Sequence, residues 1–222
     1  MPDGHAHTAD QHPMLQHHFD SLEQQLDAST FGMWVFLATE VLFFGGMFMA
    51  YTLYRMWYPD AWTAASHHLD IGLGAFNTAV LIASSLTMAL AVHAAQTGNR
   101  GAQVLFITLT MLLGLTFLGV KVIEYSDKFE HHLVPGPNFL FDDPRYARGA
   151  QVFFSVYFAM TGMHALHMVI GAGLLTWLLV GALRGRFTRV WYTPVELVGL
   201  YWHFVVIVWI FLFPLLYLVG HH

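Results

Sequence analysis

Residues Phe31–Tyr51 read FGMWVFLATEVLFFGGMFMAY, an apolar run holding one carboxylate, Glu40, near its middle. A bilayer core of about 30 Å is crossed by about 20 apolar residues in a helix. The run is long enough to span, which puts Glu40 close to the midplane. An ionisable group at that depth is expensive unless it faces protein or water, so it marks a candidate functional site.

The rest of the chain supplies the protein that such a carboxylate needs around it. Of 222 residues 56% are hydrophobic and 10% charged, against about 25% charged in a soluble domain. The apolar segments are long and do not alternate every second residue, which predicts spanning helices and not barrel strands. Cysteine is absent, so disulfides, thiol catalysis and iron–sulfur ligation by this chain are excluded. A net charge of −5 without a basic cluster argues against nucleic acid as a partner. Residues 1–30 contain no Lys or Arg and no apolar run, so no signal peptide is expected.

Outward from Glu40, the chain divides into a polar N-terminal segment, 1–30, and a membrane domain, 31–222. Met1–Pro13 reads as a disordered tail, and His5, His7, His12, His17 and His18 are either metal ligands or ordinary solvent-exposed histidines. Phe19, Leu22 and Leu26 have the spacing of a short surface helix. Five spans are predicted at about 31–54, 71–94, 104–123, 152–179 and 194–219. The six-residue turn Gln96–Gly101 forces the second and third spans to lie antiparallel and adjacent. The loop 131–148 contains Pro135, Pro137 and Pro144 and cannot be helical throughout. Five spans put the termini on opposite sides. Arg100, Arg184, Arg186 and Arg189 on one side face Arg55, Lys128, Arg145 and Arg148 on the other. The counts balance, and only the Arg184–Arg189 clustering favours an inside N-terminus.

Polar groups inside spans are the candidate site residues. Glu40 is either a structural polar group clamping helices or a proton-path carboxylate. Phe43, Phe44, Gly45, Gly46 and Ala50 surround it, and the small residues would admit a second helix. His164 and His167, three apart, share a face of the fourth span, and His203 lies in the fifth. They either ligate a metal or haem, or each hydrogen-bonds a neighbouring helix. Asn77, Ser84, Ser85 and Thr161 fit the pattern of interhelical hydrogen bonding, worth about 0.6 kcal/mol each. Lys121 and Glu124 are placed to pair where the third span leaves the apolar core. No P-loop, dinucleotide-binding glycine run, hydrolase elbow or HExxH motif is present.

Four stretches together resemble subunit III of the haem-copper respiratory oxidases. They are Thr39–Glu40 with Phe43–Phe44–Gly45–Gly46; Phe76–Asn77–Thr78; Thr161, Gly162, His164, His167 and Gly171; and Tyr201–Trp209 (YWHFVVIVW), preceded by Glu196. The resemblance runs from about Phe31 to the C-terminus and is to the five-span bacterial form. It implies an all-α bundle with an inside N-terminus and an outside C-terminus, in a bacterial inner membrane. It implies a non-catalytic subunit of an O2-reducing, proton-pumping complex, packed against subunit I and other oxidase subunits. The haems and copper would belong to those other subunits, and this chain would bind phospholipid and sustain proton uptake. Glu40, Asn77, His164, His167, His203 and Glu196 are then buried structural polar groups, with Lys121–Glu124 an ion pair. There are two departures. Val206 stands where the family has Asp, and Lys121 where an amide is common. A subunit associated with nitric oxide reductase, or a stand-alone channel or transporter, are the competing readings. The N-terminal segment is a candidate docking element for a larger respiratory assembly.

Overall fold

The structure, a computed structural model, describes residues 15–16 and 18–218. His5, His7, His12 and His17 lie outside the described residues. Among the described residues six α-helices follow in order: α1 Leu22–Trp57, α2 Pro59–Ser66, α3 Ile71–Gln96, α4 Arg100–Glu130, α5 Ala147–Leu183 and α6 Thr193–Phe213, the last continuing as a π-turn, Pro214–Leu218. No strand occurs among the described residues. Five helices, all but α2, are long and apolar enough to cross a membrane. The protein is an all-helical, multi-pass membrane protein.

Boundaries differ from the predicted ones where local chemistry carries a helix further. The expected surface helix and first span are one 36-residue helix. Ser21 Oγ accepts the Gln24 amide N–H at 3.1 Å and starts it. Ser29, midway, donates its hydroxyl to Gln25 O at 2.7 Å and does not interrupt it. Pro59 stops α1, because proline cannot supply the next helical N–H, and opens α2 as a new first turn.

The tight turns have a common design. At the end of α3, Gly98 takes φ +73°, its N–H bonds Ala95 O, and the Asn99 N–H bonds Ala94 O. This is a Schellman closure, which needs the left-handed conformation that glycine adopts without strain. Asn99 then caps α4 by accepting the Ala102 N–H. Gly185, at φ +67°, closes α5 the same way, with Arg186 N–H on Gly181 O. The two closures are then bound across the bundle. Arg100 donates from Nε to Ala182 O at 3.0 Å and from Nη2 to Leu183 O, while Arg189 Nε donates to Thr97 O at 2.6 Å. Each guanidinium meets carbonyls at the C-terminal end of a helix, Ala182 O accepting the Gly185 N–H as well, where the helix dipole favours a cation. Arg100→Ala or Arg189→Ala is expected to lower stability by about 1 kcal/mol, read as an earlier thermal transition of the purified protein. On the opposite side, the loop between α4 and α5 is pinned by Arg145, whose guanidinium brackets Asp143 and holds its carboxyl below the usual carboxylate range.

Helices α3, α4, α5 and α6 pack as a ring in which each touches the next and α6 returns to α3. Inside that ring lie Trp202 and Trp209, both fully buried. Helix α1 packs outside it, against α5 and α6. Its buried residues are Leu37, Phe44 and Tyr51, seven apart, so it touches the bundle along one narrow seam. Glu40, three residues after Leu37, lies on that seam. Gly45 and Gly46 do not admit a second helix: a Cβ on either would meet nothing within 4 Å. Gly45 lines an apolar groove of about 880 Å³ between α1 and α6. Tyr51 ties the lower seam by donating its hydroxyl to Leu215 O in the π-turn.

Candidate functional site

Glu40 meets its partner on α5. Its Oε2 is 3.1 Å from His167 Nε2. His167 Nδ1 is 2.8 Å from Met163 O, and since a carbonyl only accepts, Nδ1 carries a proton. Nε2 then faces the carboxyl either as a lone pair accepting from a carboxylic acid or as an N–H donating to a carboxylate. Both arrangements are neutral overall, so the contact places no net charge between α1 and α5. Phe44 flanks the imidazole at 5.2 Å and Tyr201 at 6.5 Å, and Tyr201 OH donates to His167 O at 3.0 Å. The pair is shielded but not sealed: the side chains are 19% and 12% exposed.

The remaining sequence candidates separate into satisfied and unsatisfied groups. Ser85 Oγ lies 2.8 Å from His203 Nδ1, joining α3 to α6. Ser84 donates to Leu81 O and accepts Trp202 Nε1–H at 3.1 Å. Thr78 repeats this one layer on, donating to Gly74 O and accepting Trp209 Nε1–H at 3.0 Å. Thr161 pairs with Tyr125 at 2.6 Å. Gly171 makes the close contact its size suggested, since a Cβ there would reach Trp202 at 2.9 Å, and Gly114 on α4 faces the same indole from 2.7 Å. Asn77 and His164 break the expected pattern. Both are buried, and neither side chain has a hydrogen-bond partner among the described residues. His164 packs instead against Phe117 and Trp209, at 5.4 and 5.2 Å between ring centroids. The two histidines share a stripe but not a partner, His167 turning to α1 and His164 to the ring interior. Glu196 is not buried: it lies half-exposed in the first turn of α6, where a carboxylate complements the helix N-terminus. Val206, at the position of the family's Asp, is 2% exposed and part of the apolar core.

Lys121 and Glu124 pair in the interior of the helix bundle. Their side chains are 4% and 2% exposed, with Nζ 2.9 Å from Oε2. Two phenols, absent from the sequence reading, complete the cluster. Tyr157 on α5 donates to Glu124 Oε1 at 2.6 Å, as does Tyr217 from the π-turn. Lys121 Nζ donates to Tyr217 OH at 2.9 Å and to Tyr157 OH at 3.3 Å. Each phenol thus accepts from the ammonium and donates to the carboxylate, and all three N–H donors of Lys121 are used. The ammonium also lies 5.0 Å from the centre of the Trp209 ring, a cation–π distance. One signal in the sequence pointed here. Gly114, Phe117, Lys121, Glu124 and Lys128 recur every three or four residues, so the pair continues the buried stripe of α4.

Among the described residues no group of three or more His, Cys, Asp or Glu is arranged to hold a metal ion. A sequence model of the family described as cytochrome c oxidase subunit III matches residues 14–221. The chain belongs to that family. Relatives named cytochrome c oxidase subunit 3 include one from Alkalihalophilus pseudofirmus, 31% identical over 192 residues and covering 85% of both chains. Another, from Gallus gallus, is 32% identical over 213 residues, covering 92% of this chain and 73% of its own. The cytochrome bo(3) ubiquinol oxidase subunit 3 of Pseudomonas aeruginosa is 29% identical over 222 residues, covering 96% of this chain and 95% of its own. Membership of the subunit III family places the chain in an oxidase complex. Glu40, His164, His167 and His203 are accordingly features of a subunit III membrane bundle.

Proposed function

We propose that the chain is the non-catalytic subunit III of a proton-pumping haem-copper terminal oxidase that reduces O2 in a bacterial cytoplasmic membrane. The family match over residues 14–221, which spans every membrane helix, carries this reading. The haems and copper are held by the other subunits, and the main contact is with subunit I. The N-terminus is inside and the C-terminus outside, an orientation supported by the Arg184–Arg189 cluster in a short loop. Phospholipid covers the outer face of α1, which presents Phe31, Trp34, Val41, Leu42, Met49 and Met56, and enters the groove between α1 and α6. Relatives named for cytochrome c and for ubiquinol both occur, so either donor is compatible with the reading.

The test is purification from native membranes through an affinity tag on this chain. Haem protein should co-purify, and the complex should consume O2 with reduced cytochrome c or quinol. A chain recovered without haem protein, or a complex that reduces NO and not O2, overturns the proposal. Within that complex, Glu40→Ala removes the partner of His167 and is expected to cost about 1–2 kcal/mol of local stability. Haem content should stay unchanged while activity decays in fewer turnovers. Loss of haem on that substitution counts against a supporting role.

A further inference from the structure

Outside the spans, the loop between α4 and α5 meets the corner between α2 and α3 at a cluster of titratable groups. His68, in the corner, stands edge-on to Phe141 of the loop, with 5.3 Å between ring centroids. The imidazole is partly buried, and Leu69 beside it is buried. The end of α4 lies within electrostatic reach of His68. There Lys128 is 4% exposed, with Nζ 2.5 Å from Asp127 Oδ2, and His131 Nδ1 is 3.2 Å from Asp127 Oδ1. The loop is shaped to present Phe141. The Leu140 N–H bonds His132 O at 3.0 Å, and Phe139 packs against Phe154 of α5 at 6.1 Å between centroids. His132 holds φ +56°, a left-handed backbone that is strained for a residue with a Cβ.

We propose that the His68–Phe141 contact is an acid-sensitive latch, which holds the loop 131–146 on the α2–α3 corner while His68 is neutral and releases it when His68 takes up a proton. The surroundings disfavour a second positive charge at this point. Lys128 and His131 face His68 from α4, and His67 faces it from the end of α2. Asp127 is already taken up by Lys128 and His131. Asp142 of the loop is the acid that pulls the other way, and it is exposed. Burial first, then those cations against the pull of Asp142, hold the imidazole below its ordinary value of 6.5. A histidine depressed in the docked loop binds a proton more readily once the loop is released. The docked state is therefore fully favoured above the ordinary value of 6.5 and loses ground as pH falls below it. With the N-terminus inside, as proposed above, the latch faces the compartment that proton pumping acidifies.

The test is hydrogen–deuterium exchange of the protein purified from native membranes into lipid nanodiscs. Both faces then meet one pH, so the outcome is independent of the orientation and of the oxidase reading. After correction for the intrinsic rate, exchange of the peptide 133–146 should rise by up to about tenfold between about pH 7.5 and about pH 5.5, the limit for a histidine that titrates only when released. The 96–101 turn, at the other end of the bundle, should keep its rate. His68→Phe keeps an aromatic ring against Phe141 and cannot titrate, so it should give the slow rate at both pH values. His131→Gln should retain the response. Exchange that ignores pH overturns the proposal. So does a rise that survives in His68→Phe, vanishes in His131→Gln, or is shared equally by the 96–101 turn.

Discussion

Lys121→Met is expected to destabilise the bundle by about 3–5 kcal/mol, the range for removing one partner of a buried ion pair. The methionine keeps the length of the side chain and its contact with Trp209. What it removes is the ammonium that donates to Glu124, Tyr157 and Tyr217. Glu124 is left 3% exposed with two phenol donors and no countercharge, among helices whose outer faces are apolar. The discriminating partner is the double variant Lys121→Met with Glu124→Leu, which should recover most of the loss, because an apolar pair of similar volume is often as stable as a buried ion pair. Lys121→Gln should fall between, since the amide N–H groups still reach the carboxyl while its positive charge is gone. Thermal unfolding of the purified protein, monitored by loss of helix, measures all three. A single Lys121→Met variant as stable as the parent would mean the pair is idle.

Trp202→Ala is expected to cost about 3–5 kcal/mol, as for other fully buried tryptophans. The loss here is chiefly one of packing. Apolar burial drives little helix association in lipid, and van der Waals contact between closely approaching backbones takes its place. Trp202 lies between Gly114 of α4 and Gly171 of α5, and its indole would be less than 3 Å from a Cβ on either glycine. Its removal leaves a void bounded by two helix backbones that the rest of the ring holds apart. The reciprocal test is Gly114→Ala. The added methyl meets the indole at 2.7 Å, and Gly171 behind the ring blocks its retreat, so α4 must move outward at about 1–3 kcal/mol. Combining Gly114→Ala with Trp202→Leu should cost less than the sum of the two. Full additivity would show that the glycines and the indole are not in contact.

Much of this was legible in the residues. Five apolar runs, one sharp turn and one proline-rich loop determine the antiparallel order of the spans. Glu40 was readable as a group needing protein around it, because no lipid-facing helix retains an uncompensated acid at that depth. The seam it lies on was not legible, because residues 31–51 are apolar nearly throughout and only burial separates Leu37, Phe44 and Tyr51 from the rest. Three other things were not legible. Tyr157 and Tyr217 are 60 residues apart in the chain, and tyrosines in membrane helices ordinarily signal an interface. Only the register of α4 against α5, with the π-turn that continues α6, brings them to one carboxylate. His164 and His167 share a stripe, but which helix each addresses depends on where α1 docks outside the ring. Gly45 and Gly46 look like a helix-packing motif, yet no helix approaches either and Gly45 borders a groove, since small residues permit close approach without compelling it.

The Lys121–Glu124 cluster also sets an order of events during synthesis. Lys121 and Glu124 emerge together, early enough to pair, and Tyr157 follows with α5. Tyr217 comes nearly a hundred residues after Lys121, so until then the cluster lacks one of its two phenols. A nascent chain therefore carries an unfinished charged centre in its interior until its last helix has entered. Closure by Tyr217 is thus the last step in satisfying that centre.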